Sequence, residues 1–441
     1  MGQALQAGIG GLVVLVALIV MRMPVAYAML LVGMGGITML SGPTVLLYQL
    51  KDLAFAKFAN YDLSVLPMFV LMGYIASSVG LSRDLFRAGN AWFGWMRGGV
   101  AMAAIAACAG FGAVCGSSLA TASTMGQIAL PELRRYKYSP ALATGALAAG
   151  GTLGILIPPS VVLVVYAIIV EANIATLFMA AFIPGLLATL FFMLTIAVYV
   201  LVRPEAGPKG EKIHPSELRD ATVAVLPVVI IFLLVIGGIY AGLFNPTPAA
   251  AIGVFLVAIY GLMRRKLTWK GSIDALVETA KTSGMIYLIL LGAELLNIFM
   301  SRGGVPQAAA QAVVASGLSP YVILVLLLIA LIILGCLMDS LSIVLLVIPF
   351  FWPVIAALDF GMPVESVKIW FGIIALIVVE LGLITPPVGL NVFVINSLAK
   401  DVPMSETFKG AMPFFVAELF RVTLIVMFPS ISLFLPGILS S

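Results

Sequence analysis

The chain has 441 residues, of which 62% are hydrophobic and only 10% charged, with a formal net charge of +4 and a mean hydropathy of +1.19. Soluble domains carry about 25% charged residues, so this composition excludes an ordinary soluble enzyme. A nucleic-acid partner is excluded as well, because the cations sit in short segments between apolar runs and form no continuous stripe.

Apolar runs of about 20 residues, the length needed to cross a bilayer, recur from Leu12 to Leu435. The segment Met1–Met21 has no positive n-region and meets its first cation, Arg22, after the apolar run, so it is expected to be a retained first span. Boundaries set at Gly, Pro and charge clusters predict crossings at Ile9–Met21, Val25–Leu40, Leu66–Ser78, Ala141–Ile169 and Ala175–Val202. The second half is expected to cross at Val223–Leu243, Pro248–Met263, Thr282–Met300, Trp370–Leu398 and Pro413–Leu435. Two further apolar segments, Val100–Leu130 and Tyr321–Ala357, hold polar, small-residue centres at Gly116-Ser117-Ser118 and Asp339-Ser340-Leu341-Ser342. They read as re-entrant hairpins, at about 98–132 and 319–358. Leu46–Ala59 and Asp84–Met96 read as amphipathic helices lying in the interface or as ordinary loop helices, with Trp92 and Trp95 suited to the interface. Residues 204–220, with Pro204, Gly207, Pro208, Gly210 and Pro215, form a polar cytoplasmic linker between a first half, 1–203, and a second, 221–441.

Charge segregation orients this scheme, since crossings alternate sides and hairpins do not. With the N-terminus outside, the cytoplasmic segments collect Arg22, Arg83, Arg87, Arg97, Arg134, Arg135, Lys137, Arg203, Lys209, Lys212, Arg219, Arg264, Arg265, Lys266, Lys270, Lys281, Lys400 and Lys409. The other side receives only Lys51, Lys57, Arg302 and Lys368. The first hairpin then opens to the cytoplasm, the second to the outside, and both termini lie outside. The halves also match at an offset of about 224 residues: Met23-Pro24-Val25-Ala26 with Thr247-Pro248-Ala249-Ala250, Gly80-Leu81 with Gly304-Val305, and Ser139-Pro140 with Met362-Pro363. About five crossings per half is an odd number, so the repeats face opposite ways. The expected fold is an all-α polytopic membrane protein, an inverted repeat of about five crossings plus one re-entrant hairpin per half, resembling elevator-type ion transporters.

Within the repeat, Gly154-Ile155-Leu156-Ile157-Pro158-Pro159-Ser160 and Gly382-Leu383-Ile384-Thr385-Pro386-Pro387-Val388 nearly copy each other. Irregular backbone at membrane depth is tolerated only inside protein or along a cavity, and a matched pair of breaks points to a transporter's binding site. Cys108, Cys115 and Cys336 are too scattered for a disulfide framework, and the single His214 leaves no zinc cluster and no resident cofactor.

The run from Gly116 to Gly126 (Gly-Ser-Ser-Leu-Ala-Thr-Ala-Ser-Thr-Met-Gly), followed by Pro131-Glu132, Tyr138, Pro140-Ala141-Leu142-Ala143, Gly150-Gly151-Thr152 and the first proline pair, strongly resembles the large membrane subunit of tripartite ATP-independent periplasmic (TRAP) transporters. The second half matches again at Leu383 to Asn391, and the likeness to these DctM-like subunits covers essentially the whole chain. The resemblance implies a translocating subunit in a bacterial inner membrane. Its partners would be a small four-helix membrane subunit and a periplasmic substrate-binding protein. The driving ion would be sodium and the substrate an organic anion such as a dicarboxylate, keto acid or sialic acid. No four-helix segment is fused at either end, so the small subunit is expected to be a separate chain. Many members carry an aspartate where this chain has Thr121, so no role of that acid transfers.

Sodium at membrane depth needs oxygen ligands. One ion site is expected where Gly116, Ser117 and Ser118 face Gly151 and Thr152, and a second where Asp339, Ser340 and Ser342 face Gly382 and Thr385. Asp339 has two readings, an ion ligand or a carboxylate capping the hairpin. Substrate is expected between the tips, near Ser118, Thr121, Pro158, Ser342, Thr385, Pro386 and Asn391, with half-helix N-termini facing its carboxylate. Glu418 and Arg421 are expected to neutralise each other, Glu294 to bond within its bundle, and Glu380 to be structural or supporting. The rival readings are a stand-alone sodium–carboxylate symporter, an ion channel and a membrane-embedded enzyme, the last without any Ser/His, Cys/His or metal constellation.

Overall fold

The computed structural model describes residues 2–21, 23–211 and 214–439, and the regular elements among them are all helices. Arg22 and Lys212, two of the expected cytoplasmic cations, lie outside the described residues. The first half comprises α1 (Gly2–Val20), α2 (Val25–Ser41), α3 (Pro43–Phe58), α4 (Val65–Ser78), α5 (Leu81–Phe93), α6 (Gly99–Cys115), α7 (Ser118–Arg135), α8 (Pro140–Leu156), α9 (Val161–Val170) and α10 (Ile174–Val202). The second comprises α11 (Pro215–Tyr240, with a π-turn at Leu233–Gly237), α12 (Pro246–Met263), α13 (Trp269–Arg302), α14 (Val305–Ala315), α15 (Pro320–Gly335), α16 (Ser340–Ala356), α17 (Val364–Gly382), α18 (Leu390–Leu398), α19 (Met404–Met427) and α20 (Ser430–Leu439). Among the described residues seven helices are long and apolar enough to cross a membrane, and α8 with α9, bent by 46° at the first proline pair, forms an eighth candidate.

The expected crossing Trp370–Leu398 breaks at its proline pair, as Ala141–Ile169 does at the first: α17 ends at Gly382 and α18 starts only at Leu390. Pro413–Leu435 is also divided, because Phe428 takes φ −126°, ψ 77°. A residue before proline is pushed out of the helical region, and Pro429 follows. The linker changes too. Pro215 opens α11, so residues 215–220 are helix, as suits a proline that needs no N–H partner in a first turn.

The preceding part of that linker is stitched to the foot of the first hairpin. Gly98 N–H donates to Gly207 O at 3.0 Å, Gly210 N–H to Gly94 O at 3.0 Å, and Ser139 N–H to Ala206 O at 2.9 Å. The Tyr138 hydroxyl donates to Pro208 O at 3.1 Å and accepts from Val100 N–H at 3.2 Å. Burial pushes that phenol up to about 12, against the opposing effect of the backbone N–H groups of Val100 and Ala101. A polar, proline-rich segment of this kind has few internal hydrogen bonds of its own, and here the hairpin base supplies the partners.

Helices α1–α4 pack with α12 and α13, and α11 packs on α5 and α12, while α6–α10 pack with α15–α20. At the centre of the second group, α8 is buried from Leu142 to Leu156 and α17 from Val367 to Gly382. Apart from Lys368 and Glu380 on α17, both are apolar or small on every face, the pattern of a helix surrounded by protein. Outward, Leu186, Leu190, Leu194 and Leu201 on α10 and Val325, Ile329 and Ile333 on α15 stay exposed, as lipid-facing stripes do. The face of α5 that carries Leu81, Phe86 and Ala88 is buried while Arg83 and Arg87 are exposed, so this helix is amphipathic. Within α3 none of the described residues is buried, and Leu47, Tyr48 and Phe55 are exposed.

Two glycine contacts set how near the hairpins come to the broken helices. A Cβ on Gly112 would lie 2.6 Å from Gly154 Cα, and one on Gly335 would lie 3.0 Å from Gly382 Cα. Small residues allow this backbone approach between helices in a membrane, where burial of apolar surface gives no preference for protein over lipid.

Candidate functional site

The tip of the first hairpin is built by local chain chemistry. Helix α6 ends as Gly116 turns left-handed at φ 65°, and a Cβ there would lie 2.9 Å from Pro159 O. Glycine meets both demands, the turn and the close approach. Ser117 then caps α7, its Oγ accepting from Ala120 N–H at 3.4 Å, and Ser160 caps α9 beyond the break, accepting from Leu163 N–H at 3.3 Å. At the second tip Asp339 caps α16. Its carboxylate accepts from Ser342 N–H at 3.2 Å and from Ser342 Oγ at 2.5 Å, so the capping arrangement is present here.

Glu380, near the end of α17, joins both tips. Ser340 donates its hydroxyl to Glu380 Oε1, and the Ser118 hydroxyl approaches the same carboxylate. Glu380 Oε2 is buried without a hydrogen-bond partner, as are Thr121 Oγ1 and Asn391 Oδ1. Thr121 faces Gly154, where a Cβ would also lie 2.6 Å from Ser117 O, and Asn391 Nδ2 donates to Ala148 O at 3.3 Å. Thr152 and Thr385 instead bond back along their own helices, to Ala149 O and Leu381 O, both at 2.6 Å, the common fate of hydroxyls in membrane helices.

Both tips line one cavity of about 210 Å³, closed on the other side by α4 and α13. Gly116, Ser117, Ser118, Asp339 and Ser340 line it, among the residues expected for ion or substrate. Thr121, Pro158, Ser342 and Asn391 are buried behind its wall, and Thr385 and Pro386 do not line it either; Pro386 is exposed. Gly151 and Gly382 are buried at the helix breaks.

Sequence reasoning missed Tyr74 and Thr282, whose hydroxyls pair at 3.0 Å in the cavity wall. They stand 208 residues apart, and no spacing rule brings them together. Glu380, expected to be structural or supporting, contacts the second tip, and an acid inside the apolar run Ile373–Leu381 is itself a signal. The Glu418–Arg421 pair forms as expected, fully inside the bundle, with Arg421 Nη1 also donating to Pro184 O at 2.8 Å.

Residues 12–431 match the family model of the DctM component of the tripartite ATP-independent periplasmic transporter. The chain belongs to this DctM family. It is therefore a multi-pass transport protein, the large permease component of a TRAP transporter, and not an enzyme. The C4-dicarboxylate TRAP transporter large permease DctM of Pseudomonas aeruginosa is 35% identical over 401 residues, 89% of this chain and 92% of that protein. The sialic acid TRAP transporter large permease SiaM of Vibrio cholerae is 32% identical over 86% of each chain. The isethionate TRAP transporter permease DctMQ of Oleidesulfovibrio alaskensis is 30% identical over 95% of this chain and 65% of its own length. Among solved structures, the Alcanivorax borkumensis YdaH transporter aligns with a TM-score of 0.61 at 15% identity over 90% of both chains. That likeness places this DctM-family chain in a helical transporter fold.

Proposed function

We propose that the chain carries an organic anion inward across a bacterial inner membrane, coupled to sodium. The observation that carries the reading is the trio of buried, unpartnered oxygens, Thr121 Oγ1, Asn391 Oδ1 and Glu380 Oε2, placed where the hairpin tips meet the two broken helices. Buried polar atoms are almost always hydrogen-bonded, and a hard cation needs oxygens of this kind. In the first site, the Ser117 carbonyl and Thr121 Oγ1 converge beside Gly154, with Gly151, Thr152 and Asn391 next to them. In the second, Ser340, Glu380 and the Asp339 cap converge near Gly382. Thr121 and Asn391 thus move from the substrate list to the ion list. The remaining substrate contacts come from the tips, Ser118 above all.

Transport then proceeds as a rigid-body shift of α6–α10 and α15–α20 against α1–α4 and α11–α13. The near-repetition of the two halves at about 224 residues supports an inverted repeat, the architecture of alternating access. The segregation of lysine and arginine supports periplasmic termini and a cytoplasmic mouth for the first hairpin. Membership in a tripartite family supports a small membrane subunit and a periplasmic binding protein as partners. Two sodium ions with a monoanion would carry one net positive charge, adding about 2.3 kcal/mol of driving force per 100 mV.

The test is uptake of labelled organic anions into proteoliposomes that hold this chain and its small subunit, with and without an inward sodium gradient and with the binding protein added or omitted. Uptake that requires sodium and binding protein is the expected result. Sodium-driven uptake without binding protein would mark a stand-alone symporter, and flux that never saturates would mark a channel.

A further inference from the structure

We infer that the cavity between the hairpin tips takes a small monocarboxylate with an aliphatic body, and that the Tyr74–Thr282 hydroxyl pair reads an oxygen next to its carboxylate. The inference rests on the transport reading above and narrows it.

Three observations carry it. The cavity, about 210 Å³, falls below the ~300–1,000 Å³ of pockets for drug-sized ligands, which leaves little room for a sugar acid. Among the described residues no lysine, arginine or histidine lines it, and its one acidic side chain is Asp339. A dicarboxylate would bring a second negative charge to a wall without any cation, against a carboxylate already present, and desolvating an unpaired charge is costly. A single carboxylate, by contrast, fits the one polar end, where Ser117, Ser118 and Ser340 start α7 and α16.

The rest of the lining is apolar. Val70, Phe111, Val162, Met285 and Ile286 form a surface for hydrocarbon. Set into it are Tyr74 and Thr282, 3.0 Å apart. One hydroxyl donates to the other, which leaves one O–H of the pair free to donate to a ligand. A 2-oxo or 2-hydroxy oxygen is an acceptor of suitable size, and a branched 2-oxo acid combines all three features: one charge, one neighbouring acceptor, one aliphatic tail.

The test measures dissociation constants by calorimetry on the chain and its small subunit in nanodiscs, in sodium and in potassium buffer, with 4-methyl-2-oxopentanoate, 4-methylpentanoate, succinate and sialic acid. The expected result is that the 2-oxo acid binds at least about tenfold more tightly than succinate or sialic acid. Tyr74→Phe and Thr282→Val should each weaken 2-oxo acid binding about three- to tenfold, the value of one hydrogen bond, and leave 4-methylpentanoate nearly unchanged. Met285→Arg, which adds the missing cation, should shift preference toward succinate. Succinate or sialic acid binding as tightly as the 2-oxo acid, or both hydroxyl variants leaving the 2-oxo acid unaffected, would overturn the inference. Equal affinities in sodium and potassium would defeat sodium coupling and leave the monocarboxylate assignment standing; no binding of any anion would sink both.

Discussion

The Ser340 hydroxyl, at the first turn of α16, donates a hydrogen bond to Glu380 near the end of α17, and so ties the second hairpin tip to the helix that breaks beside it. Glu380 is 1% exposed and its other oxygen has no donor. A buried carboxylate satisfied on one side only is costly unless a cation or proton completes it.

Glu380→Gln keeps the shape and removes the charge. Sodium-driven uptake should fall at least about tenfold, or the sodium concentration for half-maximal rate should rise by a similar factor, while the protein still elutes as a monodisperse complex. Unchanged sodium dependence would remove Glu380 from the ion site. Ser340→Ala should have a smaller effect, since it removes one donor worth about 1–3 kcal/mol to a buried acceptor.

At the first tip the sensitive position is Gly154. Its added methyl would lie 2.6 Å from Ser117 O and against Thr121 Oγ1, so Gly154→Ala should displace the tip and abolish uptake. Gly10→Ala on α1, with nothing within 4 Å, serves as the comparison and should transport normally. Equal activity in the two variants would show that the tip does not need its contact with the broken helix.

Tyr138 provides a pH signature. Its folded value, raised to about 12 by burial, exceeds the ordinary value of about 10. The stabilisation is therefore complete below pH 10 and is lost as pH rises toward 12. Tyr138→Phe should melt below the wild type at pH 9, because Val100 N–H and Pro208 O lose their partner, and the gap should shrink between pH 10 and pH 12. A constant gap across that range would contradict the assignment.

Ion pairs should divide by burial. Arg421→Ala leaves Glu418 charged inside the bundle, where such a loss costs about 3–5 kcal/mol, and should lower the melting temperature sharply. Arg134 and Asp401 meet at 2.5 Å with side chains 44% and 68% exposed. An Asp401 backbone N–H and the Arg134 guanidinium lower the Asp401 carboxyl, yet solvent screens such a pair. Arg134→Ala should leave the melting temperature almost unchanged. Thermal melts of both variants in one detergent check the contrast.

The amino-acid sequence by itself determined the class, an all-helical membrane protein, the places where two helices break, and the polar, small-residue centres Gly116-Ser117-Ser118 and Asp339-Ser340-Leu341-Ser342 where the hairpins turn. These follow from local rules: apolar run length, proline's missing N–H, glycine's left-handed φ and side-chain caps act within a few residues. What only the tertiary structure decided is which polar atoms meet. It put Glu380 against Ser340, set Thr121 and Asn391 behind the cavity wall, paired Tyr74 with Thr282, and sewed residues 206–210 to the hairpin foot. Partners separated by 40, 208 or 243 residues leave no periodic trace, because their meeting depends on how whole helices pack, which small residues such as Gly112 and Gly335 set through backbone contact.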